Sequence, residues 1–497
     1  MPNPPETLTP APAPARGVAS ENHEKRNSRV IKLLLAAAFV VILNETIMSV
    51  ALTELMEDLT ITAGAAQWLT TAFMLTMAVV IPVTGFLLQR FSTRAMFIAA
   101  MTAFSIGTLI CAVAPGFAVL LVGRIIQASG TAVMMPLLMT TLMKPVPASK
   151  RGRTMGNVSI VISVAPAIGP TVSGLILNAL SWRWMFWIVL PIALAMLAVG
   201  IRKVENVTET EDAPLDVASV ILSALGFGGL VYGLSSIGGE GGESASGVVM
   251  WTAFIVGVAG LGLFVLRQFQ LQRRDTPLLD LRTFRSPIFS VSVALMVVSM
   301  AALFGSVILL PIYLQQVLGL EPLQVGLFLL PGGLVMGLLA PFVGRLYDRF
   351  GPRVLLVPGT LVLSAVLWFL STVNEDTPTM TVLTAHVTLS VGLAFLFTPL
   401  FTTALGSVKP ALYSHASAVI STVQQVAGAA GTAVFITVMT SQSAALTASG
   451  AAEPAAVAGG VGDAFMVGAV VSLLAIVAAC FVRRPDDAPE GTVVPVH

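Results

Sequence analysis

Two stretches of this 497-residue chain decide how it folds: "GFLLQRFSTR" (Gly85–Arg94) and "GRLYDRFGPR" (Gly344–Arg353). Both open on glycine, carry Arg-Phe at the same offset and close on arginine, and each follows a long apolar run. The runs predict fourteen crossings, at about 31–52, 67–88, 95–114, 117–142, 153–178, 183–201, 214–235, 248–268, 288–316, 323–343, 353–372, 380–405, 411–441 and 462–482. The two stretches then follow the second and tenth crossings. Two copies eight helices apart on one side of a membrane imply parallel halves. With six helices per half, the seventh and eighth are inserted between them. Repeated halves with a midplane site at their interface are a transporter arrangement.

Composition supports an all-α polytopic membrane protein. The chain is 56% hydrophobic and 10% charged, with mean hydropathy +0.90, where soluble domains carry about 25% charge. The runs are continuous and do not alternate, which argues against a β-barrel. A net charge of +1 gives no reason to expect nucleic acid. Cys111 and Cys480 both fall in apolar runs and read as small fillers, so neither a disulfide framework nor a metal site is expected. The Pro/Ala-rich start reads as disordered, and the first run as a retained helix rather than a signal peptide. No phosphate-binding loop, metal-ligand cluster or Ser/His/Asp set is visible. No enzyme activity and no cofactor are therefore expected.

Basic residues orient the chain. With the N-terminus in the cytoplasm, the inner segments receive Arg26, Arg29, Arg90, Arg94, Lys144, Lys150, Arg151, Arg202, Lys203, Arg273, Arg274, Arg345, Arg349, Arg483 and Arg484, among others. Only Arg183 falls outside and only Arg124 inside a helix. The outer loops carry Glu54, Glu57, Asp58, Glu240, Glu243, Glu321, Glu375 and Asp376. This bias places both termini in the cytoplasm. The expected organisation is a tail (1–29), an N-terminal six-helix bundle (30–203), two inserted helices (204–272), a cytoplasmic linker (273–287), a C-terminal six-helix bundle (288–484) and a second tail (485–497). The linker's charges read as solvated or in contact with lipid headgroups.

The chain resembles the fourteen-spanning drug:proton antiporter group of the major facilitator superfamily, and among these the lincomycin-resistance type of multidrug exporter. The paired loops are similar to the family's G-x-L-x-D-R-x-G-R loop. "GRIIQASGTA" (Gly123–Ala132) resembles its fourth-helix motif, and "APAIGPTVSG" (Ala165–Gly174) its antiporter motif on the fifth helix. The resemblance implies a cytoplasmic latch at Gly85, Arg90, Arg94, Gly344, Asp348 and Arg349. It implies an antiporter hinge at Pro166, Gly169, Pro170 and Gly174. Three positions depart from the pattern. Gln89 stands where an acid is usual, Ser92 where glycine is usual, and Asn44 at the first-helix acid position, with Glu45 one residue on. One residue is about 100° of rotation and 1.5 Å of rise.

Glu45 and Arg124 are the one acid and one base set well inside predicted helices. Such residues are costly and mark function by default. Glu45, Ser49 and Thr53 form one polar stripe on the first helix; Arg124, Gln127 and Thr131 form another on the fourth. Glu45 is the expected proton carrier and Arg124 its tuning partner; a static ion pair positioning the two helices is the alternative. Asn44, Ser49, Gln127, Tyr313, Gln316, Gln424 and Gln425 are the substrate-contact candidates. The expected function is secondary active, proton-coupled export of amphiphilic neutral or cationic compounds, lincomycin-like antibiotics among them, by alternating access. Export or flipping of an endogenous lipid or envelope precursor is the alternative. The expected partners are that substrate, protons and membrane lipids, with a monomer in a bacterial plasma membrane.

Overall fold

The computed structural model describes residues 16–48, 51–143, 146–206, 215–237 and 247–484. Among these, fourteen helices are long and apolar enough to cross a membrane. The first seven of them are α1 (Arg16–Ile47), α3 (Ala63–Arg90), α4 (Thr93–Ala112), α5 (Phe117–Met143), α6 (Arg151–Ala179), α7 (Arg183–Lys203) and α8 (Val217–Ile237). The others are α9 (Gly247–Gln272), α10 (Pro287–Gln316), α11 (Pro322–Phe350), α12 (Arg353–Leu370), α13 (Thr379–Gly406), α14 (Tyr413–Ala448) and α15 (Glu453–Ala479). A short α2 (Leu52–Asp58) follows the first crossing.

The two halves pack by one plan. In the N-terminal half α1 meets α5, α6 and α7, α3 meets α5, and α4 meets α5 and α7. In the C-terminal half α10 meets α13, α14 and α15, α11 meets α13, and α12 meets α13 and α15. These pairings correspond helix for helix, as a duplicated unit requires. The halves join along two seams, α6 against α11 and α3 against α14. The inserted α8 and α9 pack on each other, and α8 leans on both α3 and α14. One end of the bundle carries Arg90, Arg94, Arg151, Arg202, Arg349 and Arg484 and is called the basic end; Glu57, Asp58, Glu321 and Asp376 mark the acidic end.

Several boundaries differ from expectation. α1 begins at Arg16, inside the stretch read as a disordered tail, because extending an existing helix costs far less than nucleating one. It ends at Ile47, short of residue 52, where α2 begins. The two loop copies also end their helices differently. Gly351 takes φ +80° and closes α11. Ser92 instead caps the next helix, its Oγ accepting from Ala95 N at 3.3 Å, a side-chain bond that glycine cannot make.

Arg183, the one basic residue at the acidic end, is held there. It pairs with Asp58 at 2.9 Å and stacks on Trp182 at 4.2 Å. Trp182 Nε1 also donates to Asp58, at 2.8 Å. These two donors hold the Asp58 carboxyl below its ordinary range.

Candidate functional site

A cavity of about 80 Å³ lies between the halves. Its walls include Ala38, Ile42 and Glu45 of α1, Met77 of α3, Thr131 of α5, and Gln424 of α14. Ala38, Ile42 and Glu45 are spaced i, i+4 and i+7, one face of a helix, so the face that carries the acid is the face turned to the cavity. Glu45 is half-buried. Gln425 shares the lining and directs Nε2 at Met77 Sδ across 3.9 Å. Drug-sized ligands need about 300–1,000 Å³. The cavity in this conformation therefore holds a few waters at most, and a larger ligand requires the halves to part.

Arg124 is packed behind the cavity wall. It is 1% exposed, with its guanidinium 4.1 Å from the centre of the Phe73 ring. Nη1 donates to Gln127 Oε1 at 2.7 Å, Gln127 Nε2 donates to Thr108 Oγ1 at 2.8 Å, and Thr108 donates to Phe104 O at 2.7 Å. Arg124 Nε has no hydrogen-bond partner. No ion pair within 4 Å joins Arg124 to Glu45 among the described residues. The charge is thus balanced by an aromatic face and an amide relay, and the carboxylate stays uncommitted at the cavity.

The halves are bonded to each other on the basic side of this cavity. Asp348 of α11 accepts from the backbone N–H groups of Gly152 and Arg153, at 2.8 and 2.9 Å. These are the first turn of α6, where free donors and the helix dipole favour an anion. Arg151 Nη2 donates to Tyr413 Oη at 3.2 Å, Thr398 Oγ1 to Ser159 Oγ at 2.8 Å, and Ser417 Oγ to Pro136 O at 3.3 Å. The α6–α11 seam is backbone-tight: a Cβ on Gly344 would fall on Gly152 O, one on Gly156 would lie 2.6 Å from Ala340 O, and one on Gly333 would fall on Ala167. Two turns further toward the acidic end and on the same faces, Gly174 and Gly326 face open space. The seam closes from the basic end to the middle and opens beyond it.

The predicted site residues separate into groups. Glu45, Gln424 and Gln425 meet at the cavity. Asn44 is buried beside Glu45 with Oδ1 unpartnered and does not line the cavity; the family's acid position points elsewhere in this chain. Gln127 serves Arg124. Tyr313 lies near the acidic end, its hydroxyl donating to Asn374 O at 2.6 Å, and Gln316, the last residue of α10, is exposed there. Both are too far along the helix to reach the cavity. Ser49 lies outside the described residues.

The hinge and latch residues are placed as follows. α6 runs unbroken through Pro166, Gly169 and Pro170. A Cβ on Gly169 would meet Thr46 Oγ1, so this glycine lets α1 and α6 touch, whereas Gly174 touches nothing. Of the latch residues, Gly344 and Asp348 bridge the halves. Gly85 packs on His415 and Ala418 of α14. Arg94 Nη2 instead donates within its own half, to Ile201 O at 2.6 Å, and Arg349 stacks on Phe350 at 5.1 Å. Arg90 is exposed at the last turn of α3. Sequence reading did not single out Met77, Met134, Met135, Pro136 or Ser421 as lining; the i, i+4, i+7 face through Glu45 was the available signal on α1.

Duplicated six-helix halves, an interfacial cavity and a seam closed at one end define a membrane transporter of the two-halved type. The chain belongs to the Major Facilitator Superfamily, whose family model matches residues 34–432. It is 40% identical to the lincomycin resistance protein LmrB of Listeria monocytogenes over 460 residues, 92% of this chain and 96% of that one. It is 30% identical to the multidrug resistance protein B homolog of Mycobacterium tuberculosis over 442 residues, 88% and 81% of the two chains. The fold is shared with the human organic anion transporter MFSD10, at TM-score 0.63 and 15% identity over 91% of this chain and 99% of that one. It is also shared with the proton:xylose symporter XylE, at TM-score 0.63 and 14% identity over 92% and 96%.

Proposed function

We propose that this protein exports amphiphilic neutral or singly cationic compounds in exchange for protons, with the basic end facing the cytoplasm of a bacterial plasma membrane. The observation that carries the reading is Glu45. It is the carboxylate of the interfacial cavity, set with Gln424 and Gln425 and left without an ion-pair partner. The apolar and amide walls suit an amphiphile, and the methionines supply an adaptable surface. The resistance for which these relatives are named points the same way.

The coupling follows from access. On this reading the side closed by Asp348, Tyr413 and the glycine seam is the cytoplasmic one, and the outer side, where Gly174 and Gly326 meet nothing, is the one free to admit protons. Glu45 takes up a proton from outside. The halves then rock, the cavity opens inward, and the proton leaves as substrate enters. The membrane potential supplies about 2.3 kcal/mol per charge per 100 mV, so one proton per cycle sustains a substantial gradient. The bonds at the basic end act as the latch that breaks in this step.

The test is transport in reconstituted vesicles. Glu45→Gln keeps the shape and removes the titration. It is expected to cut pH-gradient-driven transport of a fluorescent cation at least tenfold, with an unchanged elution profile in detergent, while Glu45→Asp retains part of the rate. Wild-type transport by Glu45→Gln under the same gradient would sink the proposal.

A further inference from the structure

In the segment joining α9 to α10, Arg273, Arg274, Asp275 and Arg285 are exposed, as solvated charges would be, but its middle is buried. Asp280 is 2% exposed, Leu278 1% and Leu279 3%. Gln268 of α9, fully buried, accepts from Leu279 N at 3.1 Å, and Gln272 donates to Asp280 Oδ1 at 3.1 Å. Arg282 Nε donates to Asp280 Oδ2 at 2.8 Å, and the turn Leu281–Arg285 packs on α10 and α14. The same network ties α9 to α8. Asp216, just before α8, takes a two-pronged bond from Arg267, at 3.0 and 3.1 Å, and Gln268 donates to Ser219 Oγ at 2.8 Å. Polar bonds of this geometry fix position, because a shift of an ångström breaks them.

The contact of α8 with the other half is of a different kind. A Cβ on Gly228 would lie 3.3 Å from Val79 Cγ2 and 3.5 Å from Leu75 Cδ1 of α3. Nearer the acidic end the Tyr232 ring meets Trp68 of α3 at 5.7 Å between centroids. Apolar surfaces and a glycine face are non-directional and let one helix slide along another at little cost.

We infer that α8 and α9 travel with the C-terminal half as one rigid strut, and that α8 slides along α3 during each cycle, keeping the α3–α14 seam covered from the lipid. This rests on the alternating-access reading. The test uses cysteine pairs in a Cys111→Ala, Cys480→Ala background. Gly228→Cys with Val79→Cys places two sulfurs across the sliding contact. Gly233→Cys with Phe254→Cys places them within the strut, where a Cβ on Gly233 lies 3.0 Å from Phe254 Cβ. Oxidation of the first pair should cut export at least tenfold and reduction should restore it, while the oxidised second pair exports normally. Export by the oxidised first pair overturns the inference, as does loss of export in the second. If the reduced proteins export no test compound, it is the functional reading that has failed, and the strut is decided by spin-label distances. Labels at Gly262 and Gly116, which face open space, and at Leu474 of α15, which is 71% exposed, should give a single Gly262–Leu474 distance and a variable Gly262–Gly116 distance; the reverse refutes it.

Discussion

Arg124 shows how one charge is carried inside a membrane helix without an ion pair. Its supports are the Phe73 ring at 4.1 Å and the Gln127–Thr108 relay. Gln127→Leu leaves a guanidinium N–H unpaired in the core and takes from the Thr108 oxygen the bond it accepts, which costs about 1–3 kcal/mol. Phe73→Leu keeps most of the packing and removes the cation–π attraction, about 1–2 kcal/mol when desolvated. Thermal unfolding in detergent should therefore rank Gln127→Leu as the more damaging, with both below wild type; equal stability of all three would show that Arg124 is neutralised by something else. Glu45 and Arg124 stood out in the sequence because charge is scarce there. Their relation was less legible. A charge census finds both residues but not the ring between α3 and α5, which is a three-dimensional neighbour. The choice between Asn44 and Glu45 needed the rotation of α1, and the apolar face of Ala38 and Ile42 already contained it.

Helix ends decide how tightly the halves hold. Asp348 supplies an anion to the first turn of α6, whereas the equivalent position of the first loop is Gln89. Asp348→Ala should loosen the basic end, and Gln89→Ala should change little. Ser417→Cys, buried at that junction, reports this through its rate of reaction with an impermeant maleimide added from the basic side. The rate should rise several-fold in Asp348→Ala, and no difference between the two variants would remove Asp348 from the latch. The clamp at the start of α8 behaves differently toward acid. Arg267 holds the Asp216 carboxyl at about 2, below its ordinary 3.8. A depressed acid contributes stability that is complete above its unfolded value and is lost as pH falls toward the folded one. The stability difference between wild type and Asp216→Asn should thus be constant from about pH 8 to 5 and shrink only below about pH 4. Helix number and order were readable from apolar runs alone. The burial of Asp280 in the linker was not, because Arg282 and Gln272 satisfy it, and a sequence shows charges but not their partners.

At the scale of the molecule, the duplicated loop revealed two parallel halves, and the contact plan repeats helix for helix. What repetition could not show is which end is closed. Closure depends on whether small residues from different halves face one another, a property of α6 and α11 together. Gly152, Gly156, Gly333 and Gly344 bring those backbones into contact on the basic side, while Gly174, two turns beyond Ala167, and Gly326, two turns beyond Gly333, have nothing opposite them. The rocking motion proposed above would exchange the two regions: the glycines now open would become the contact when the basic end parts. Side chains added at the two places should therefore push the protein in opposite directions. Gly344→Leu drives a side chain into Gly152 and disfavours the closure seen here, so Ser417→Cys should label quickly from the basic side. Gly326→Leu fits the present conformation without a clash and obstructs the other, so the same cysteine should be protected below the wild-type rate. Each variant is expected to lose transport, one trapped in each state. Normal transport with unchanged labelling in both would mean that the seam does not open by rocking, and the paired halves would need another way to pass a substrate.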